Sequence, residues 1–225
     1  MRGSGRRRRT VSLSQRAMES EAIARVYESR LWRRSLPARL ALGLSFEREQ
    51  RLVLEAAELG SSARVLDLAC GSGIYTRPLA RALGARSVVG IDLSRPMLRN
   101  AQRLAARERL IGLQLVHGDA LALPFRDARF DLVNCCGALH LFPDPARALA
   151  EMGRVLRPGG RCTVAVVRRP GGLLAPVAAA LAQLGVASFT AGSLDELLRA
   201  AGLAGTRVLH ERALWIVASA WRAPG

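Results

Sequence analysis

The 225-residue sequence predicts an α/β fold, a doubly wound and mostly parallel sheet with helices on both faces. Three observations carry this. From about residue 60, short apolar runs alternate with stretches of helical periodicity. The runs are nearly continuous in their apolar character, as strands covered on both faces must be. The first of them passes directly into a small-residue turn, Asp67-Leu68-Ala69-Cys70-Gly71-Ser72-Gly73, and then into a helix, the arrangement that places a ligand at the carboxyl edge of such a sheet.

Residues 1–15 are rich in Gly, Ser and Arg and read as a disordered basic tail. Residues 16–59 read as N-terminal helices on the substrate side. The first, Glu19–Arg34, carries Ile23, Val26, Tyr27 and Leu31 on one face, and Pro37 interrupts the pattern. The second, from Phe46 to Leu59, presents Leu52, Val53, Ala56 and Leu59 and ends at Gly60.

Residues 60–225 read as the ligand-binding domain. Arg64–Leu68 is a strand, Tyr75–Leu83 a helix stopped by Gly84, and Ser87–Ile91 the next strand. Ser94 caps a helix with Pro96 in its first turn, reaching about Leu110. Leu113–His117 and Phe130–Cys135 are strands. Asp144 and Pro145 open a helix that ends at Leu156, and Arg157-Pro158-Gly159-Gly160 leads into the strand Arg161–Val167. Beyond Arg168, Leu173–Leu184 reads as an apolar helix and Ser193–Ala201 as a short helix capped by Ser193. The runs Thr206–Ala213 and Leu214–Trp221 form a terminal hairpin and bring the sheet to seven strands.

The formal net charge of +16 invites a nucleic-acid reading. Its distribution argues against one. Residues 1–40 hold eleven arginines against three glutamates, the other arginines are scattered, and there is no lysine, which fits a compositional bias better than a binding face. Aromatic side chains for base stacking are few. The four cysteines, Cys70, Cys135, Cys136 and Cys162, form no CxxC pair, so neither a metal site nor a disulfide framework is expected, and a reducing, cytoplasmic setting fits. The longest uncharged stretch, Pro170–Leu194, is broken by glycine and polar residues, so no transmembrane span is expected.

The glycine-rich turn has two rivals to exclude. A dinucleotide loop needs a third small residue three positions after its second glycine. Thr76 stands there when counting from Gly71, and Ile74 when counting from Ala69. A phosphate-binding P-loop fails because no Gly-Lys-Ser/Thr follows. Asp92 closes the second strand, where a carboxylate can accept hydrogen bonds from both hydroxyls of a ribose. Asp119 follows the third strand and can meet an adenine amino group, and Asn134 marks a polar exit from the fourth.

Asp67–Gly73, Gly90-Ile91-Asp92-Leu93-Ser94, Gly118-Asp119-Ala120, Phe130-Asp131-Leu132-Val133 and Leu156–Gly160 stand in the order typical of class I S-adenosylmethionine-dependent methyltransferases. Together with Leu139-His140-Leu141-Phe142-Pro143-Asp144, they make residues 60–170 resemble the small-molecule group that includes the ubiquinone and menaquinone C-methyltransferases. The resemblance implies a Rossmann-like sheet whose last strand is antiparallel, and S-adenosyl-L-methionine as cofactor. Asp67, Ala69, Gly71 and Gly73 would line its methionine end, with Asn134 beside them. Asp92 would hold the ribose, Leu93 and Met97 would pack on the adenine, and Asp119 and Ala120 would meet the adenine edge. Ala69 departs from the glycine found in many members.

Methyl transfer needs alignment and exclusion of water rather than a metal. His140 follows the fourth strand at the ligand edge and is the candidate base, with a packing role as the alternative. Tyr27 is a second catalytic candidate on an N-terminal helix that could act as a lid, with ordinary core packing as its alternative. The adjacent cysteines lack the Pro-Cys context of a nucleophile and read as buried small side chains. Leu173–Ala187 could wall a lipophilic pocket, lie on a membrane surface or face the core. The expected partner is therefore a small lipophilic or aromatic methyl acceptor. The rivals are an RNA or protein methyltransferase docking through the arginine-rich N-terminus, and an S-adenosylmethionine-binding protein without catalysis.

Overall fold

The computed structural model describes residues 35–57, 63–172 and 175–223. The expected basic tail, the helix Glu19–Arg34 with its Tyr27, and the end of the second helix at Leu59 lie outside the described residues.

Seven strands form one sheet in the order β3-β2-β1-β4-β5-β7-β6. They are β1 (Val65–Leu68), β2 (Val88–Asp92), β3 (Gln114–His117), β4 (Phe130–Cys136), β5 (Leu156–Val167), β6 (Leu203–Arg212) and β7 (Trp215–Arg222). Strands β1 to β5 pair in parallel, and β7 inserts antiparallel between β5 and β6, as the resemblance implied. The order reverses at β1, flanked by β2 and β4, which opens a crevice above the carboxyl ends of these strands.

The helices are α1 (Leu36–Leu42), α2 (Phe46–Ala57), α3 (Thr76–Leu83), α4 (Arg95–Arg107), α5 (Pro145–Val155), α6 (Ala175–Gln183) and α7 (Ala191–Ala200). Strand alternation divides the core in two. Leu66, Leu68, Ile91, Val133 and Val164 face α5 and α7 through Leu149, Met152, Leu194 and Leu198. On the other face, Val65, Val88, Leu132 and Val217 meet α2 and α3 through Val53, Ala57, Leu79 and Ala80. Burying each large aliphatic side chain contributes roughly 1.5–3 kcal/mol, so both layers are needed to hold the crevice rigid.

A helix the sequence did not announce, α1, carries Pro37 in its first turn, where its missing N–H is no loss. Two local expectations change. Thr190, not Ser193, caps α7; Ser193 is the third helical residue of a capping box and returns a hydrogen bond to the Thr190 backbone. Strand β5 starts at Leu156 rather than Arg161, because Phe130 pairs with Leu156 before the register shifts. The Ser94 and Asp144 caps are present, accepting from the backbone N–H groups of Met97 and Arg147.

Candidate functional site

The side chains of successive residues in β1 point to opposite faces, so Asp67 lies on the α2/α3 side while Leu66 and Leu68 fill the other core. Across the sheet, Asp67 pairs in register with Gly90 and Asn134, Asn134 with Thr163, and Thr163 with Ser219. A polar row therefore runs through the middle of an apolar sheet, and its members Asp67, Asn134, Thr163 and Ser219 are all buried. Thr163 Oγ1 donates to Asn134 Oδ1 (2.8 Å), and Asn134 Nδ2 donates to Asp67 Oδ1 (2.7 Å). Thr76 Oγ1, at the start of α3, donates to Asp67 Oδ2 (2.5 Å). Gly90 keeps the row clear on β2: a Cβ there would stand 2.9 Å from Cys70 Sγ and 3.2 Å from Thr76 Cγ2.

Burial dominates the titration of Asp67 and pushes its carboxyl from 3.8 up to about 6, against the hydrogen bonds from Thr76 and Asn134. Burial likewise raises Asp92. Each Asp92 oxygen accepts one backbone N–H, Oδ2 from Gly71 (2.8 Å) and Oδ1 from Ser94 (2.7 Å), which leaves lone pairs on both for a ligand. The turn between β1 and α3 is sharply wound. Gly71 and Gly73 have φ of +54° and +78°, and Ala69 takes φ of +53°, a left-handed conformation that L side chains rarely adopt.

These residues border a cavity of about 130 Å³ at the crevice. Asp67, Ala69 and Gly71 line it from β1 and its turn; Asp92, Leu93 and Met97 from β2 and α4; Asp119 and Ala120 from the loop after β3. Asp119 Oδ1 accepts from the backbone N–H of Leu121 (2.8 Å). The same loop is tied to α5: Arg154 donates to the carbonyls of Leu123 and Phe125 and pairs with Glu151 and Asp127, and Glu151 accepts the Leu123 N–H. The guanidinium of Arg154 holds the Glu151 carboxyl below its usual range.

Three expected site residues do not line the cavity. Gly73 only shapes the turn. Asn134 stands behind Asp67 and reaches the cavity through it. His140, in a one-turn helix after β4, is buried and turns its ring toward Trp215, with centroids 5.7 Å apart at 75°, whereas its neighbours Leu141 and Phe142 do line the cavity.

Other residues join the site unannounced. Ser72, Ile74, Tyr75, Gly137 and Ala138 complete its walls. The Tyr75 hydroxyl donates to Glu49 Oε1 (2.5 Å), which also accepts from Trp215 Nε1 (3.1 Å). Glu49 is fully buried on the same face of α2 as Val53 and Ala56, a spacing of four and seven residues that the sequence already displayed. Thr76 entered the sequence reading only as the residue that breaks a dinucleotide fingerprint, and the same side chain anchors Asp67. All four cysteines are free and buried, and burial raises the thiols of Cys70, Cys135 and Cys162, the last to about 12, so none of those three is poised as a nucleophile.

Charge is the cavity's most informative property. In a chain of net charge +16, three carboxylates line it and none of its described lining residues is basic. A pyrophosphate would be repelled there. A ligand with hydroxyls, an apolar ring and positive charge would be complementary.

Residues 65–160 match a family model described as a methyltransferase domain. The chain is 43% identical over 114 residues to the demethylmenaquinone methyltransferase of Lactiplantibacillus plantarum, covering 50% of this chain and 48% of that protein. It is 46% identical over 100 residues to phthiotriol/phenolphthiotriol dimycocerosates methyltransferase 1 of Mycobacterium ulcerans, covering 44% and 36%. The chain thus spans about half the length, or less, of these curated relatives. In fold it is similar to a methyltransferase structure from Aquifex aeolicus, with a TM-score of 0.70 at 17% identity over 91% of this chain and 99% of the other. The stretch that the family model matches lies within residues 60–170, whose motifs resemble class I methyltransferases of the quinone C-methyltransferase kind.

Proposed function

We propose, from the methyltransferase domain carried by residues 65–160, that this chain transfers the methyl group of S-adenosylmethionine to a small lipophilic or aromatic acceptor of the quinone kind. The observation that carries the reading is the acidic, arginine-free lining of the cavity. A sulfonium cofactor brings two positive centres and one carboxylate, and its adenosine brings two ribose hydroxyls and an apolar ring. Asp92 would accept the hydroxyls with the lone pairs that Gly71 and Ser94 leave open. Leu93 and Met97 would sandwich the adenine, and Asp119 with Ala120 would meet its edge. Asp67, held by Thr76 and Asn134, would face the ammonium end, and Ala69 and Gly71 would let the backbone approach it.

The cofactor supplies an electrophilic methyl group, so the protein's task is to fix the acceptor in line and keep water out. The apolar walls Ile74, Leu141 and Phe142 suit a lipophilic acceptor. His140 sets the course of Leu141 and Phe142 on this reading, rather than exchanging a proton itself. A polyanionic acceptor is disfavoured by the charge of the cavity, and the free buried cysteines accord with a reducing, cytoplasmic setting.

The test is transfer of labelled methyl groups from the cofactor to a panel of reduced quinones and phenols, with the product identified by mass. Label in a lipophilic product is expected. Tight binding of the cofactor without transfer to any acceptor would instead make this a binding protein.

A further inference from the structure

We propose that α6, together with the exposed leucines of α1, docks this protein on an anionic phospholipid surface beside the mouth of the cavity. The argument rests on the reading of the acceptor as lipophilic.

Helix α6 has the sequence Ala-Pro-Val-Ala-Ala-Ala-Leu-Ala-Gln, with a single polar side chain, and none of its residues is buried. No charged residue occurs from Pro170 to Leu194. A helix apolar all round belongs in a core or a lipid phase. Val177 is 38% exposed, and Leu184, just past the helix, 60%. With nine residues, α6 is about 14 Å long, less than half a bilayer's hydrocarbon thickness, so it can lie in the interface but not cross. No helix among the described residues is long and apolar enough to span a membrane.

A second apolar element is tied to the same end of the sheet. Leu36 and Leu40, one turn apart on α1, are 65% and 69% exposed. The Leu214 N–H donates to the Ala41 carbonyl, Arg168 N–H to Leu214, and Arg169 N–H to Phe189, so α1, the β6–β7 turn and the segment leading back from α6 form one connected edge. This edge carries Arg39, Arg168, Arg169 and Arg212, all at least partly exposed, against Glu211, which pairs with Arg168 (3.2 Å).

The arginines decide between occupants. A symmetric contact between two copies would set this rim against itself. An anionic headgroup layer is complementary to it, and exposed apolar side chains on an edge that also carries arginines are the pattern of an interfacial anchor. The position suits the chemistry. The Ala187 N–H donates to the His140 carbonyl (2.8 Å), and the next residues, Leu141 and Phe142, line the cavity. An acceptor dissolved in the lipid would reach the cavity without crossing water.

The experiment is co-sedimentation of the full chain with vesicles of phosphatidylcholine alone and of phosphatidylcholine mixed with phosphatidylglycerol. Binding is expected only to the mixed vesicles. The double substitution Val177→Asp, Leu184→Asp should lower it at least about tenfold, because two apolar anchors become charged. Circular dichroism and calorimetric cofactor affinity should stay unchanged, which separates lost docking from lost folding. Equal vesicle binding by the double variant overturns the proposal and moves the contact to the arginines alone. So does a dimer in light scattering that the substitutions dissociate, which assigns the face to a second copy. Vesicle binding is read without any acceptor, so a failure of the methyl-transfer reading leaves this result standing.

Discussion

The hydroxyl of Thr76 donates to Asp67 Oδ2 at 2.5 Å while Asn134 holds the other oxygen at 2.7 Å, so the carboxylate that faces the cavity is fixed from two sides by buried partners. This clamp gives the site a rigid, buried acid.

Asp67 should make cofactor binding pH-dependent. Its carboxyl titrates near 6 in the folded chain against 3.8 when free, so its contribution to stability is fully present below about 3.8 and is lost as pH rises through about 6. The difference amounts to about 3 kcal/mol. A cofactor ammonium favours the ionised form. Affinity should therefore fall by up to tenfold per pH unit below about 6 and level off above it. Calorimetry across this range checks the slope, and Asp67→Asn should bind weakly with the slope gone. A flat profile in the parent protein would sink the assignment.

Asp92→Ala should weaken the cofactor at least about thirtyfold, or ~2 kcal/mol, since two hydrogen bonds to an ionised carboxylate are lost. It also leaves the N–H groups of Gly71 and Ser94 without their acceptor, so melting should be measured beside binding. Unchanged affinity for S-adenosylhomocysteine in a folded variant would remove Asp92 from the ribose.

Ala69→Gly should stabilise the protein by about 1 kcal/mol, because the φ of +53° strains a residue with a Cβ and suits glycine. Thermal unfolding should show a rise in Tm of a few degrees, with cofactor binding kept. A lower Tm would mean that the Ala69 methyl packs to greater advantage than the strain it bears.

His140→Phe separates two roles. The substitution keeps a ring against Trp215 but removes the imidazole nitrogens. On the positioning reading, turnover stays within about threefold while His140→Ala loses roughly 1–3 kcal/mol of stability. A hundredfold loss of kcat in His140→Phe, with KM and the melting temperature unaltered, restores the histidine as a base.

The residues legible in advance were those whose role is local. The turn after β1, the acids at the ends of β2 and β3, and the Ser94 and Asp144 caps follow from short-range rules that link residue type to strand end, turn or helix start. Most of the expected cofactor residues do line one cavity, because every parallel strand delivers its carboxyl end to the same edge. The masking of β5 by Arg157-Pro158-Gly159-Gly160 shows the limit of such rules, since pairing with Phe130 extends a strand through residues that favour a turn.

What the sequence by itself determined was the alternation of apolar strands and helices, the order of the motifs, and so the sheet and the edge at which a ligand sits. What only the tertiary structure decided was which side chains meet there. Asp67 and Asn134 are 67 positions apart, Glu49 and Trp215 are 166 apart, and no local pattern encodes such distances. His140 lies at the right strand end yet turns to Trp215, because a side chain's direction is set by the neighbours it packs against. The three acids of the cavity were legible in this strongly basic chain, but only folding decided that no arginine joins them among its described lining residues.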